Sequence, residues 1–185
     1  MSYFRTLALA ATLLTPGIAL ADEISDTLKS ALEAYEEGDL SYALEELEFA
    51  KQLMLEMKTA DLATFLPDAP EGWIREVSDD VATGMAMFGG GSGAEATYAR
   101  ENESFRIVIM ADNPMVGALS GMMANASLMG MKLERVGRQK YLNQDGELSG
   151  IVDGRILIQA SGADVDTMKS VLAEIDHRGL EDFGR

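Results

Sequence analysis

The segment Pro67–Gly72, PDAPEG, strongly constrains the fold of this 185-residue chain. Two prolines and a glycine within six residues exclude both a continuous helix and a central β-strand. Apolar residues recur at helical spacing before the segment and follow strand patterns after it. The sequence therefore predicts a helical region over residues 22–66, a proline linker over 67–72, an α+β domain over 73–180 and a frayed tail over 181–185.

The first 21 residues follow the pattern of a bacterial secretory signal. Arg5 supplies a positive charge, the apolar run LALAATLLTPGIAL follows it, and Ala19-Leu20-Ala21 offers a cleavage site before Asp22. The run is too short for a membrane anchor, and it is interrupted by a Pro-Gly pair. The chain has no cysteine for a lipid attachment or a disulfide. We expect a signal peptide over residues 1–21 and a periplasmic or secreted mature protein.

Residues 22–66 predict an antiparallel hairpin of two helices. Apolar residues alternate steps of three and four in two runs, which break at Gly38 and Asp39. Glycine can close the first helix there, and aspartate can cap the second. The predicted apolar seam consists of Ile24, Leu28, Ala31, Tyr35, Leu40, Ala43, Leu47, Ala50, Met54 and Met57.

This hairpin resembles a single tetratricopeptide repeat, with the spacing Y-x-x-G-D-x-x-x-A-x-x-x-L-x-x-A. The family's terminal proline is absent, and no second copy follows, whereas such arrays need about three units to bury a core. The resemblance thus implies one hairpin whose seam is covered by the rest of the chain or by another chain, which leaves homo-oligomerisation open. The matching positions are Tyr35, Gly38, Asp39, Ala43, Leu47 and Ala50.

Negative charge is densest on the hairpin. Residues 22–68 hold 13 acids and 3 bases, and residues 69–185 hold 18 acids and 11 bases. This balance disfavours nucleic acid and anionic lipid as partners, since both need clustered Lys and Arg. The acids form either a solvated face that keeps the protein in solution or a recognition surface for a basic partner. The candidate partner-binding acids are Glu36, Glu37, Glu45 and Glu48.

After the N-terminal segment, apolar residues are most concentrated in Ser104–Met131. Its first part predicts a covered central strand, and the Asn-Pro pair at 113–114 predicts a helix that runs to about residue 129. Methionine here suits a core, an apolar binding surface or, because thioether sulfur is a soft ligand, Cu(I). The candidate Cu(I) ligands are Met115, Met122, Met123 and Met129, and Met122 and Met123 are also candidate partner-binding residues.

For residues 73–180 the sequence predicts an antiparallel sheet of five or six strands with two helices packed on it. Asp-Gly pairs at 145–146 and 153–154 indicate hairpin turns, and the last helix is expected from Asp164 to about Asp176. Trp73 either plugs the edge of the core or marks a pocket. The glycine-rich segment Met85–Gly93 predicts a flexible loop between strands.

Residues 70–180 resemble the PsbP/Mog1-like fold. The shared cues are an LPxxPxGW entry, a strand leading into an Asn-Pro helix, a strand pair around V-x-G-R and a last helix ending in Ile-Asp. Members of this group are non-enzymatic accessory or binding proteins. The resemblance therefore implies a binding role without naming a partner.

Catalytic and metal chemistry find little support in the residues. His177 is the single histidine, it follows the last predicted helix, and there is no cysteine, which argues against a catalytic triad and against zinc. We expect no enzymatic activity and no cofactor. The leading hypothesis is an exported, non-catalytic binding or adaptor protein that engages another envelope or secreted protein. The alternative is a periplasmic carrier of a small apolar ligand or of Cu(I) at the Met-rich helix.

Overall fold

The computed structural model describes residues 16–78, 81, 84, 90–126 and 130–185. Most of the predicted signal peptide and the centre of the predicted glycine-rich loop lie outside these ranges. The chain divides into two compact units, Met1–Met54 and Leu55–Arg185. The first is helical, and the second contains the β-sheet, so an α+β protein with two N-terminal helices is confirmed.

Two helices, α1 (Pro16–Glu37) and α2 (Leu40–Ala63), form the predicted hairpin. Gly38 ends α1 with a φ of 87°, which L side chains rarely adopt, and its N–H donates to the carbonyl of Tyr35 at 3.1 Å. The carboxylate of Asp39 accepts a hydrogen bond from the N–H of Tyr42 at 3.1 Å, as a helix-capping side chain does. The Gly-Asp break thus acts as the sequence indicated.

Six of the seven buried residues among those described in the first unit form pairs at equal distances from the turn between residues 38 and 39. This symmetry is the signature of an antiparallel pair, because residues equally far from the turn face each other. Small side chains dominate the strip, which lets the two backbones approach closely. The matched pairs are Ile24 with Leu53, Thr27 with Ala50, and Ala34 with Ala43.

The unit boundary lies within α2 and not at the proline linker. Leu62 and Leu66 are buried in the core of the second unit, so the end of α2 belongs to that unit. The linker itself is tied to the sheet, because Pro67 accepts a hydrogen bond from the hydroxyl of Tyr98 at 2.7 Å. Arg75 also donates to the carbonyl of Leu66 at 2.9 Å. The proline linker follows the end of α2 within the second unit and does not separate two domains.

The second unit is built on a seven-stranded sheet whose order is β1-β2-β3-β7-β6-β5-β4, with antiparallel neighbours throughout. The prediction of five or six strands was too low, because the short segments at both edges pair along their whole length with β2 and β5. The strands are β1 (Ile74–Ser78), β2 (Ser92–Arg100), β3 (Glu103–Ala111), β4 (Lys132–Val136), β5 (Gln139–Gln144), β6 (Glu147–Val152) and β7 (Ile156–Ser161).

One face of the sheet forms the core of the second unit. Phe105, Ile107 and Ile109 alternate along β3 on this face, and each is nearly or fully buried. Trp73 packs edge-on against Phe105 with ring centroids 5.0 Å apart, and it is itself buried. This favours the core-plug interpretation of the tryptophan over the pocket interpretation.

Three described helices accompany the sheet: α3 (Pro114–Ala124), α4 (Val165–Leu172) and α5 (His177–Asp182). The start of α3 agrees with the prediction, but the helix ends earlier than residue 129. The helix expected to reach about Asp176 ends at Leu172 as α4, and α5 is an additional helix beyond the predicted one. Each is capped by an aspartate, Asp164 or Asp176. Within the described residues, no helix has the length and apolar character needed to cross a membrane.

The last residues also differ from the expected frayed tail. Phe183 is 7% exposed and packs edge-on against Phe65. Arg185 forms an ion pair with Asp153 at 2.6 Å, and Asp153 belongs to the turn between β6 and β7. A buried aromatic ring and a long-range ion pair therefore hold the C-terminus on the second unit.

Candidate functional site

Exposed apolar surface is concentrated on the hairpin helices. Twelve large hydrophobic side chains are exposed among the described residues, and ten of them lie on α1 and α2. The other two lie on the edge strand β1. A stable monomer rarely leaves contiguous apolar patches exposed, whereas single exposed residues are ordinary. The hairpin is therefore the first place to look for a binding surface.

On α1 the exposed apolar side chains form one stripe. Leu28, Leu32 and Tyr35 are separated by steps of four and three and are 40%, 57% and 64% exposed. Residues at this spacing lie above one another on a helix. The stripe lies beside the buried strip that contains Ala31, so it continues the apolar surface outward from the interface between the two helices.

A second stripe runs along α2. It begins at Leu40, continues through Leu44 and Leu47 at steps of four and three, and reaches Met54 one heptad later. Leu44 is 67% exposed, the largest fraction in this stripe. Lys51 lies between the last two of these residues and forms an ion pair with Glu48 at 3.0 Å.

The two stripes lie on the same side of the hairpin. Successive residues of an α-helix are rotated by about 100° around its axis. Viewed from the N-terminus of its own helix, each stripe therefore lies about a quarter-turn clockwise from the buried strip. Two antiparallel helices that face each other through those strips then present both stripes to one side. We call this surface the hairpin patch: Leu28, Leu32, Tyr35, Leu40, Leu44, Leu47 and Met54.

The predicted seam is therefore only partly an interface between the helices. Its small members and Ile24 are buried, while six of its larger members, Leu28, Tyr35, Leu40, Leu47, Met54 and Met57, are exposed. Leu32 and Leu44 were missing from the prediction although both belong to the patch. In the sequence, these residues widen the apolar stripe of each helix beyond the width that packing between the two helices can bury.

The four candidate glutamates are all exposed, but they differ in their position around the patch. Glu36 lies one turn after Leu32, and Glu48 lies one turn after Leu44, so both border the hairpin patch. Helical geometry places Glu37 and Glu45 farther around their helices. The structure thus supports Glu36 and Glu48 as rim residues of a binding surface more than it supports Glu37 and Glu45.

The methionine candidates are only partly described. Met122 and Met123 are half-buried on α3, between the core and surface interpretations. Met129 and the side chain of Met115 lie outside the described residues, so the proposed Cu(I) set is not tested. Among the described residues, no group of three or more His, Cys, Asp or Glu side chains is placed to hold a metal ion.

His177 is half-buried and contacts a β-strand, which its position near the end of the chain did not indicate. Its Nε2 atom lies 2.8 Å from the hydroxyl of Tyr141, which is fully buried on β5. Burial lowers the pKa of His177 below its ordinary value and raises the pKa of Tyr141. The hydrogen bond between the half-buried imidazole of His177 and the buried hydroxyl of Tyr141 ties α5 to β5.

A surface depression of the second unit has a volume of about 640 Å³. It is lined by the β5–β6 turn, Gln144–Glu147, and by the end of β7, Ser161–Ala163. Its walls are turn residues and exposed polar side chains, whereas small-molecule sites are concave and mostly apolar. This depression therefore offers a weaker candidate site than the hairpin patch.

Comparisons of the chain with protein-family models, with curated proteins and with solved structures find no match.

Proposed function

We propose that this chain is an exported, non-catalytic binding or adaptor protein that engages another envelope or secreted protein through the hairpin patch. The observation that carries the proposal is the exposure of seven large apolar side chains on one side of two antiparallel helices. Burying such a surface against a partner stabilises the complex by about 25 cal/mol per Å² of apolar area removed from water. The free hairpin leaves these side chains in water, so their burial can contribute to the free energy of association.

Two features of the sequence support the same function. Residues 1–21 follow a secretory-signal pattern, which favours a partner in the cell envelope or outside the cell. The resemblance to the PsbP/Mog1-like fold implies binding without catalysis, and the resemblance to a single tetratricopeptide repeat implies a hairpin whose seam is covered by the rest of the chain or by another chain. Met122 and Met123 are half-buried on α3, which favours neither a core role nor the alternative carrier function.

A site-specific photocrosslinker tests the proposal in the expressing cell. Placed at Leu44, it is expected to capture one reproducible polypeptide, because this residue lies within the hairpin patch. Ile74 is the matched control, since it is 75% exposed and equally apolar but lies on β1. Mass spectrometry of the purified chain is expected to find Asp22 as its first residue. The same crosslinked proteins at both positions, or none at Leu44, would contradict the proposed function.

A further inference from the structure

We infer that the partner presents a cationic amphipathic helix of about four turns to the hairpin patch. This inference rests on the proposed function and adds the chemistry of the partner to it. Three properties of the first unit support it: the length of the patch, its two-helix geometry and its charge.

The patch has the shape that suits a helix. Its α2 stripe extends from Leu40 to Met54, which is about 21 Å at 1.5 Å per residue. A helix of 14 to 16 residues, which is about four turns, matches that length. Two parallel apolar stripes on adjacent helices leave a groove between them, and an amphipathic helix inserts anchors at i, i+3, i+4 and i+7 into such a groove. The occupant would complete a three-helix arrangement.

The charge of the hairpin selects a cationic occupant. Residues 22–54 hold ten acids and two lysines, a net charge of −8. Both lysines are already engaged within the hairpin, Lys29 with Asp26 at 2.9 Å and Lys51 with Glu48 at 3.0 Å. Basic side chains flanking the apolar face of an incoming helix would meet Glu36 and Glu48 at the rim of the patch. Complementary charge also raises the association rate.

The same charge disfavours a second copy of this chain as the occupant. Two hairpins meeting through their patches would bring two net charges of −8 together. Like charges brought together at an interface oppose association. The negative charge of the hairpin attracts a basic helix from another protein, whereas it repels a second copy of this chain.

Two synthetic 18-residue peptides test the inference with the full chain. Both carry the same leucine face, and their polar positions are all lysine in one and all glutamate in the other. Fluorescence anisotropy is expected to show that the lysine peptide binds at least tenfold more tightly than the glutamate peptide. Its affinity should also fall as salt rises, because exposed charges are screened.

Matched variants locate the binding site. Leu44→Ser is expected to weaken binding of the lysine peptide about tenfold, because it replaces a large apolar side chain of the patch with a small polar one. Ile74→Ser should leave binding unchanged. The double variant Glu36→Gln, Glu48→Gln should weaken it severalfold and reduce its salt dependence, whereas Glu76→Gln on β1 should not. Circular dichroism verifies that each variant is folded.

Equal affinity for the two peptides, or an unchanged affinity in Leu44→Ser, would overturn the inference. So would a dimer of the full chain in sedimentation that dissociates in Leu44→Ser, because the occupant would then be a second copy. Crosslinking at Leu44 together with failed peptide binding removes the inference and leaves the proposed function standing. Peptide binding at the patch without a crosslinked partner removes the proposed function.

Discussion

The two units of this chain treat their apolar side chains in opposite ways. In the second unit most of the large aliphatic residues, such as Leu148 and Ile158, are buried in the core. In the hairpin the buried strip is made mostly of small residues, and the leucines face outward. A unit that buries its large side chains is complete as a folded structure. A unit that exposes them in one patch has its surface arranged for association.

Truncating a leucine in each unit should separate these two roles most strongly. Leu148→Ala removes a fully buried side chain and is expected to lower the free energy of unfolding by about 2–5 kcal/mol. Leu44→Ala shortens a side chain that is 67% exposed and should change it by less than about 0.5 kcal/mol. Urea denaturation followed by far-UV circular dichroism measures both. Comparable losses would mean that Leu44 supports the fold, which would break the comparison.

Glycine is needed for different reasons in the two units. A Cβ atom at Gly150 would lie 2.6 Å from the ring of Tyr141, so Gly150→Ala is expected to cost about 1–3 kcal/mol through overpacking. Gly38 has open space around it but a φ of 87°, so Gly38→Ala should cost about 1 kcal/mol through its backbone. Thermal unfolding compares the two variants.

Asparagine distinguishes the two causes. It tolerates the left-handed region better than alanine, so Gly38→Asn should recover most of the stability that Gly38→Ala loses. At position 150 a larger side chain can only increase the clash, and Gly150→Asn should be at least as unstable as Gly150→Ala. Recovery by asparagine at position 150 would show that packing against Tyr141 is not the reason for this glycine.

Local patterns predicted much of the fold. The steps of three and four before Gly38, the Asn-Pro pair before α3 and the Asp-Gly turns after β5 and β6 each have a cause within a few residues. The count of strands was too low, because whether a short edge segment such as Ile74–Ser78 joins a sheet depends on a partner strand about 20 residues away. The additional helix α5 and the hydrogen bond between His177 and Tyr141 depend on contacts equally remote from the local pattern.

The candidate site was predicted less well than the fold, and the reason is physical. Helical periodicity shows which residues share a face, but it does not show what covers that face. Leu28 and Ala31 belong to one periodic run, yet one is 40% exposed and the other is 4% exposed. The acids of the rim were found because they lie off the seam. Their relation to Leu32 and Leu44 appears only when the two helices are placed side by side.

The two units also differ in the surroundings of their acidic residues, and this difference has the smallest expected effect on stability. Glu134 on β4 is held by Lys132 at 2.8 Å and by Lys169 of α4 at 3.0 Å, and Asn143 also contacts it. The hydrogen bonds from Lys132, Lys169 and Asn143 lower the pKa of Glu134 from 4.5 to about 2. In the hairpin, Glu48 is 74% exposed and borders the proposed binding surface.

A carboxylate whose pKa is lower in the folded chain stabilises that chain above its ordinary pKa, and this contribution is lost as the pH falls through the folded value. The stabilising effect of Glu134 should therefore be complete above about pH 4.5 and decline from there toward pH 2. Urea denaturation at pH 5 and pH 3 is expected to show a smaller acid-induced loss in Glu134→Gln than in the parent chain. Identical acid dependence in Glu134→Gln and the parent would mean that the contacts of Glu134 with Lys132 and Lys169 do not stabilise the fold.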